Sequence, residues 1–173
     1  MLNLGCGGNT LPGWENHDMD INLERPLPFA DNSIDRIFAE HTIEHVSIQS
    51  AYSFFEECHR ILVPGGAVRI TVPSVVNVFN KKTPAYINFL KAHGWGDGSE
   101  SSALKAIIFQ HGHQTMWTIE SLLVCLTNVG FRAREAELYK SEIPEFNNVE
   151  GHQKVIGPAF NLIESITCEG IKK

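Results

Sequence analysis

The sequence lacks most of the features that mark a specialised class. Its four cysteines, Cys6, Cys58, Cys125 and Cys168, lie far apart and form no C-x-x-C pair, which argues against a zinc ribbon or a thioredoxin-type dithiol. They read as free thiols in a reducing cytoplasm, the expected compartment. No apolar run approaches the roughly 20 residues that cross a bilayer, and no basic-then-apolar leader is present, so a membrane is not an expected partner. Positive charge is scarce: Lys81-Lys82 and Lys172-Lys173 are the only basic doublets, and the formal net charge is −6. Such a field repels a phosphate backbone, so nucleic acid is not expected either. Two glycine motifs are missing as well. No Gly-Lys-Ser/Thr completes a phosphate loop, and Thr10 stands where a G-x-G-x-x-G fingerprint needs its last small residue.

What remains is a chain of 173 residues with ordinary hydrophobic content, enough for one domain with a core of its own. Apolar runs and helical periodicities alternate along it. "MLNL" reads as a strand that ends in "GCGG"; its start at the first residue is abrupt and suggests a missing N-terminal segment. Residues 14–19 suit a short second strand, and 34–40 ("IDRIFAE") a buried parallel one. Apolar positions from Ile48 to Leu62 recur at helical spacing up to the Pro64-Gly65-Gly66 stop. A β-branched strand follows at 67–73. Residues 75–117 are mixed, with helical pieces at 84–92 and 102–110 around Gly94, Gly96 and Gly98, and read as a lid-like insertion. A helix opens at Thr118 and closes at Gly130. "RAREAELYK" and "NLIESITCEGIK" read as a final strand pair. The expectation is a single α/β domain over 1–173 with a mostly parallel sheet.

The strand-then-glycine turn lets a ligand approach where no Cβ stands in the way. An acid follows 13 positions after Gly5, at Asp18, sooner than a nicotinamide site places it. A ligand with a ribose but no pyrophosphate fits better, the acid taking the sugar hydroxyls and the glycine turn facing a small charged tail.

"LNLGCGGNTLPGWENHDMDI", "LPFADNSIDRIFAEHTIEHV", "FFEECHRILVPGGAVRITVPS" and "LLVCLTNVGF", in that order, resemble the class I S-adenosylmethionine (SAM)-dependent methyltransferases, above all the small bacterial type 11 methyltransferase-like proteins. The likeness covers about residues 1–131. It implies a Rossmann-like sheet with an antiparallel last strand, and SAM bound across the carboxyl ends of its strands, leaving S-adenosyl-L-homocysteine as product. By that resemblance, Gly5, Cys6 and Gly7 line the methionine part. Asp18 or its rival Asp20 holds the ribose, Ile21 and Asn22 flank the adenine, and Glu40 and His41 face the methyl end. Asn3 stands where the family usually carries an acid. About nine residues separate the first two strands, too few for a helical crossover. Between Asp20 and Ile34 there is no room for a helix and a third strand. The expected sheet is therefore trimmed at both places.

The eight histidines pose a second question. "HTIEH", residues 41–45, matches the inverted zinc-protease pattern H-x-x-E-H, which makes a zinc hydrolase using His41, Glu44 and His45 the remote alternative. It follows directly on a strand rather than lying in a long helix, and spacing picks no third ligand; no metal is expected. His41, or one of His111 and His113 of "HGH", is instead expected to act as base or acceptor-positioning group for methyl transfer to a small-molecule hydroxyl. Trp95 and Trp117 are candidate pocket walls, Trp117 more simply a core residue. The other alternative is a non-catalytic methyltransferase-like binding domain, favoured by Asn3 and the missing first helix. The acceptor and the oligomeric state are not readable.

Overall fold

Leu2, Asn3 and Leu4 are all buried and form the short strand β1 (Leu2–Leu4), which sits one strand in from the edge of a six-stranded sheet. The computed structural model describes residues 1–173. β1 is flanked by β2 (Glu15–His17) and β3 (Ile34–Glu40), both parallel to it. β3 runs parallel to β4 (Leu62–Pro73). The sheet is completed by β5 (Phe131–Ala136) and β6 (Ser165–Lys172), in the order β2-β1-β3-β4-β6-β5. β6 is antiparallel to both its neighbours. This is the trimmed, mostly parallel sheet with an antiparallel last strand that the sequence leads one to expect. No helix connects β1 to β2, and neither helix nor strand lies between β2 and β3.

The helix α1 (Ile48–Ile61) starts at Ser47, whose hydroxyl accepts from Ser50 N, and buries Ala51, Phe54, Phe55, Cys58 and Ile61. Those positions share one face, and each phenylalanine contributes roughly 1.5–3 kcal/mol by leaving water. Opposite it packs α5 (Ile119–Val129), closed by a Thr118–Ser121 capping box and a left-handed Gly130 at φ 112°. Leu122, Leu126 and Trp117 join the strand residues in a single large core. Trp117 is thus a core residue, its indole N–H satisfied by Thr115 Oγ1 at 3.0 Å.

Between β4 and α5 stand α2 (Val75–Lys81), α3 (Pro84–Ala92) and α4 (Glu100–Phe109). With α7 (Pro158–Glu164) they bury a smaller core of their own around Val78, Tyr86, Leu90, Ala106, Ile107 and Ile163. The one-turn α6 (Gln153–Ile156) precedes α7. No helix is long and apolar enough to cross a membrane.

Three expected boundaries move. α1 already ends at Ile61, and Pro64-Gly65-Gly66 lies inside β4 rather than before it, bulging the strand where the register to β3 shifts between Ile34 and Arg36. Asn161–Glu164, read as strand, form the end of α7, because Gly157-Pro158 start a helix there. β5 stops at Ala136 rather than running to Lys140, because the Glu137 and Lys140 carbonyls accept from the buried Arg69 guanidinium instead of a neighbouring strand.

Candidate functional site

The turn after β1 is built for close approach. Gly5 and Gly7 adopt φ of 67° and 47°. A Cβ on Gly5 would stand 2.4 Å from the Thr42 side chain, so this glycine is required by conformation and by space alike. Cys6 N–H donates to His17 O at 3.0 Å, tying the turn to the end of β2. The resulting cleft, about 620 Å³, is lined among others by Gly5, Gly7, Asp18, Ile21, Asn22 and His41. The glycine turn and the downstream carboxylate therefore face one space.

Other expected cofactor residues are placed differently. The Asp20 carboxylate turns back to His17 Nδ1 (2.6 Å) and Asp18 N (2.8 Å), so of the two acids it is Asp18 that lines the cleft. Asn3 is buried, its amide donating to Asn9 O (2.7 Å) and Asn16 Oδ1 (2.9 Å); it braces the loop behind the turn. Cys6 and Glu40 line an adjoining groove with Gly151, His152 and Lys154. There Glu40 Oε2 accepts from Gly151 N (2.6 Å) and His152 N (3.2 Å). Burial still pushes the Glu40 carboxyl up, against the pull of those two bonds.

Beyond His41 lies a second cavity, about 270 Å³, holding five of the eight histidines: His41, His45, His111, His113 and His152. Backbone bonds assemble it. Glu44 and His45 lie in a single 3₁₀ turn, Ile43–His45, after β3. The 111–115 loop is clamped to that turn, because Gln114 N and Thr115 N both donate to Glu44 O, at 2.7 and 3.1 Å. Gln114 Nε2 adds a bond to His45 O. The clamp brings the "HGH" stretch beside "HTIEH" across some seventy positions, so His111, His113 and His41 do share one space. Most of the far wall comes from residues that sequence reasoning did not connect to the site: Tyr86 and His152 bond the two oxygens of Glu164 at 2.7 and 3.2 Å, and Trp95, expected as a pocket wall, joins them. Nothing in the sequence around Tyr86, His152 or Glu164 signals that placement; it comes from the packing of the helices.

His41 is the hinge of the arrangement. Its backbone sits in the left-handed region at φ 50°, and His111 does the same at 61°; outside glycine this costs about 1 kcal/mol and clusters at functional sites. Its ring stacks on His152 with centroids 4.0 Å apart. Ser165 Oγ donates to Asn161 Oδ1, so it accepts from His41 Nε2 at 2.9 Å. The proton is thus fixed on Nε2, and the Nδ1 lone pair is free. Burial, and then the like charges of His152, His113, His45 and His111, hold the His41 pKa well below its usual value, so the ring is neutral at pH 7. Burial also lowers His45 and His113.

Comparison with known proteins bears on this architecture. Residues 13–70, a third of the chain, match the family described as a methyltransferase domain. No curated protein matches the sequence. Among solved structures, a SAM-dependent methyltransferase from Archaeoglobus fulgidus is 15% identical with a TM-score of 0.56, over 99% of this chain and 85% of that one. A SAM-dependent methyltransferase from Mesorhizobium loti is 15% identical with a TM-score of 0.52, over 96% and 73%. A chain of the Haloferax volcanii complex between the Trm112 methyltransferase activator and a methyltransferase is 14% identical with a TM-score of 0.50; this chain spans 64% of its length. The resemblance read from the sequence motifs is thus supported by the match to the methyltransferase-domain family over residues 13–70 and by the fold, which the chain shares with these SAM-dependent methyltransferases.

Proposed function

We propose that the protein is a SAM-dependent methyltransferase acting on the hydroxyl of a small molecule. The observation that carries this reading is the position of His41, which lines both the glycine-turn cleft and the histidine cavity. A methyl donor in the first and an acceptor in the second meet at that residue. Asp18 takes the ribose hydroxyls, Ile21 and Asn22 border the adenine, and Gly5 and Gly7 admit the methionine portion. Holding the acceptor oxygen, the methyl carbon and the sulfonium sulfur in line is the protein's main contribution, since the sulfonium simply loses its charge as the C–S bond breaks. The acceptor proton passes to a neutral imidazole, His41 through Nδ1 or one of His111 and His113. The small cavity and the acidic chain favour a metabolite over nucleic acid.

Calorimetric titration with SAM tests the reading. Binding on the order of micromolar, weakened roughly tenfold or more by Asp18→Ala, is the expected result. Single-turnover transfer slowed by alanine at His41, His111 or His113 identifies the base. One observation favours a second reading, a methyltransferase-like domain that binds a ligand without catalysis: Glu40 Oε2 is engaged by the chain's own Gly151 and His152, so that oxygen is not free for the ammonium of SAM. SAM binding without turnover on any hydroxyl acceptor supports that alternative; no SAM binding at all removes the first.

A further inference from the structure

Glu44 is fully buried, and neither of its carboxylate oxygens has a hydrogen-bond partner. No lysine or arginine approaches it. Its neighbours are imidazole nitrogens: His45 Nε2 at 3.9 Å and His41 Nδ1 at 3.7 Å from Oε1. Ligand atoms of Glu44, His45 and His113 all lie within 4.8 Å of one another. A tetrahedral ion with ligands at 2.0–2.2 Å sets them about 3.4 Å apart, so rotations of these side chains close the set.

The surroundings prepare the donors. His113 Nδ1 donates to Ile107 O at 2.6 Å, which leaves Nε2 with its lone pair. The His45 ring lies with Nδ1 beside Gly112 and Nε2 toward Glu44, 3.9 Å from Oε1. A carbonyl behind the imidazole is how proteins orient a metal-binding histidine and fix its tautomer. The Glu44 main chain is itself pinned by Gln114 and Thr115, which places His113 beside the carboxylate.

We infer that Glu44, His45 and His113 form a binding site for a divalent transition-metal ion, with Zn²⁺ the simplest occupant and its open position facing the histidine cavity. Two imidazoles and a carboxylate suit zinc or ferrous iron and disfavour magnesium and calcium, which want oxygen ligands. The ion supplies the positive charge that the buried carboxylate otherwise lacks. This explains the H-x-x-E-H stretch differently from a protease: its Glu is a ligand rather than a general base, only its second His binds, and the third ligand is His113 from the distant loop. The site stands independently of methyl transfer; only its use, presenting an acceptor hydroxyl to the donor, rests on the proposed function, and with His113 Nε2 on the ion the base there is His41 or His111.

The test is a Zn²⁺ titration of the chelator-stripped full chain, followed by calorimetry, with Co²⁺ as a spectroscopic probe. Wild type should bind one Zn²⁺ and give the visible absorption of a low-coordinate Co²⁺ centre. Glu44→Gln, which keeps the side-chain shape, and His113→Ala should each weaken Zn²⁺ binding roughly tenfold or more and remove the Co²⁺ band, with circular dichroism unchanged. His59→Ala, on α1 and away from the cavity, should bind as wild type. No Zn²⁺ binding by wild type, unchanged binding in Glu44→Gln and His113→Ala, or an equal loss in His59→Ala overturns the site. SAM titration of the same samples reads the other cleft, so failure of one inference is distinguishable from failure of the other.

Discussion

Glu150 and Glu169 are as thoroughly buried as Glu44, yet the three carboxylates live under different terms. Arg69 donates to Glu150 Oε1 from Nε at 2.7 Å and to Glu169 Oε1 from Nη1 at 2.6 Å. Arg134 takes the other oxygen of Glu169 at 2.8 Å, and Tyr139 N the other oxygen of Glu150 at 3.1 Å. Arg69 and Glu169 face each other across the β4–β6 register, and the remaining guanidinium bonds go to loop carbonyls. Each of the four carboxylate oxygens there is answered from within the chain, and the outcome is a pinned loop. At Glu44 nothing in the chain answers, and burial pushes its carboxyl up to about 8. A satisfied buried cluster marks architecture; an unsatisfied one, surrounded by oriented lone pairs, marks a place kept for something else.

Substitutions should separate the two regions by size of effect. Arg69→Met strands two buried carboxylates and should cost about 3–5 kcal/mol, lowering Tm by on the order of 10 °C in a thermal melt. The acid limb of the stability curve should report the same cluster. Burial raises the Glu169 carboxyl, but the bonds from Arg134 and Arg69 and the polar groups around it outweigh burial and leave its pKa below the ordinary value. Its contribution is then present above roughly pH 4.3 and lost as pH falls through the folded value, so denaturant midpoints should drop there in wild type and much less in Glu169→Gln. Glu40 lies between the extremes, with Oε2 bonded twice and Oε1 bare. Glu40→Gln should cost about 1 kcal/mol by urea unfolding. Glu44→Gln should change the stability of metal-free protein least, within about 1 kcal/mol or in the stabilising direction. A loss at Glu44 as large as at Arg69 would break the comparison.

The distinction between these regions was invisible in the sequence, although much of the fold was not. The glycine turn, the α1 stripe, the Thr118 and Gly130 caps and the shortened β1–β2 and β2–β3 connections are local signals, decided by a few adjacent residues. Asp18 was legible for the same reason: it sits just past β2, beside the turn it faces. The histidine cavity depends on contacts between residues far apart in the chain. Gln114 and Thr115 meet Glu44 through backbone atoms, which carry no residue code, so His113 could not be assigned to Glu44 from spacing. His152, Tyr86 and Glu164 arrive by the packing of α3, α6 and α7, and α7 itself was hidden in a segment whose apolar positions suit a strand equally well. The end of β5 was decided by Arg69, a residue in another strand.

The smaller core beneath α2, α3, α4 and α7 has a further consequence. Tyr86, Leu90, Ala106 and Ile107 belong to it and also line the histidine cavity, whereas Gly5, Gly7 and Asp18 hang from the sheet alone. The two spaces meet at His41 and His45 and are otherwise upholstered by different elements. Repainting the helical ceiling reshapes the room offered to a guest while the seat beside the glycine bend stays as it was, which makes this scaffold a natural starting point for altering what it accepts.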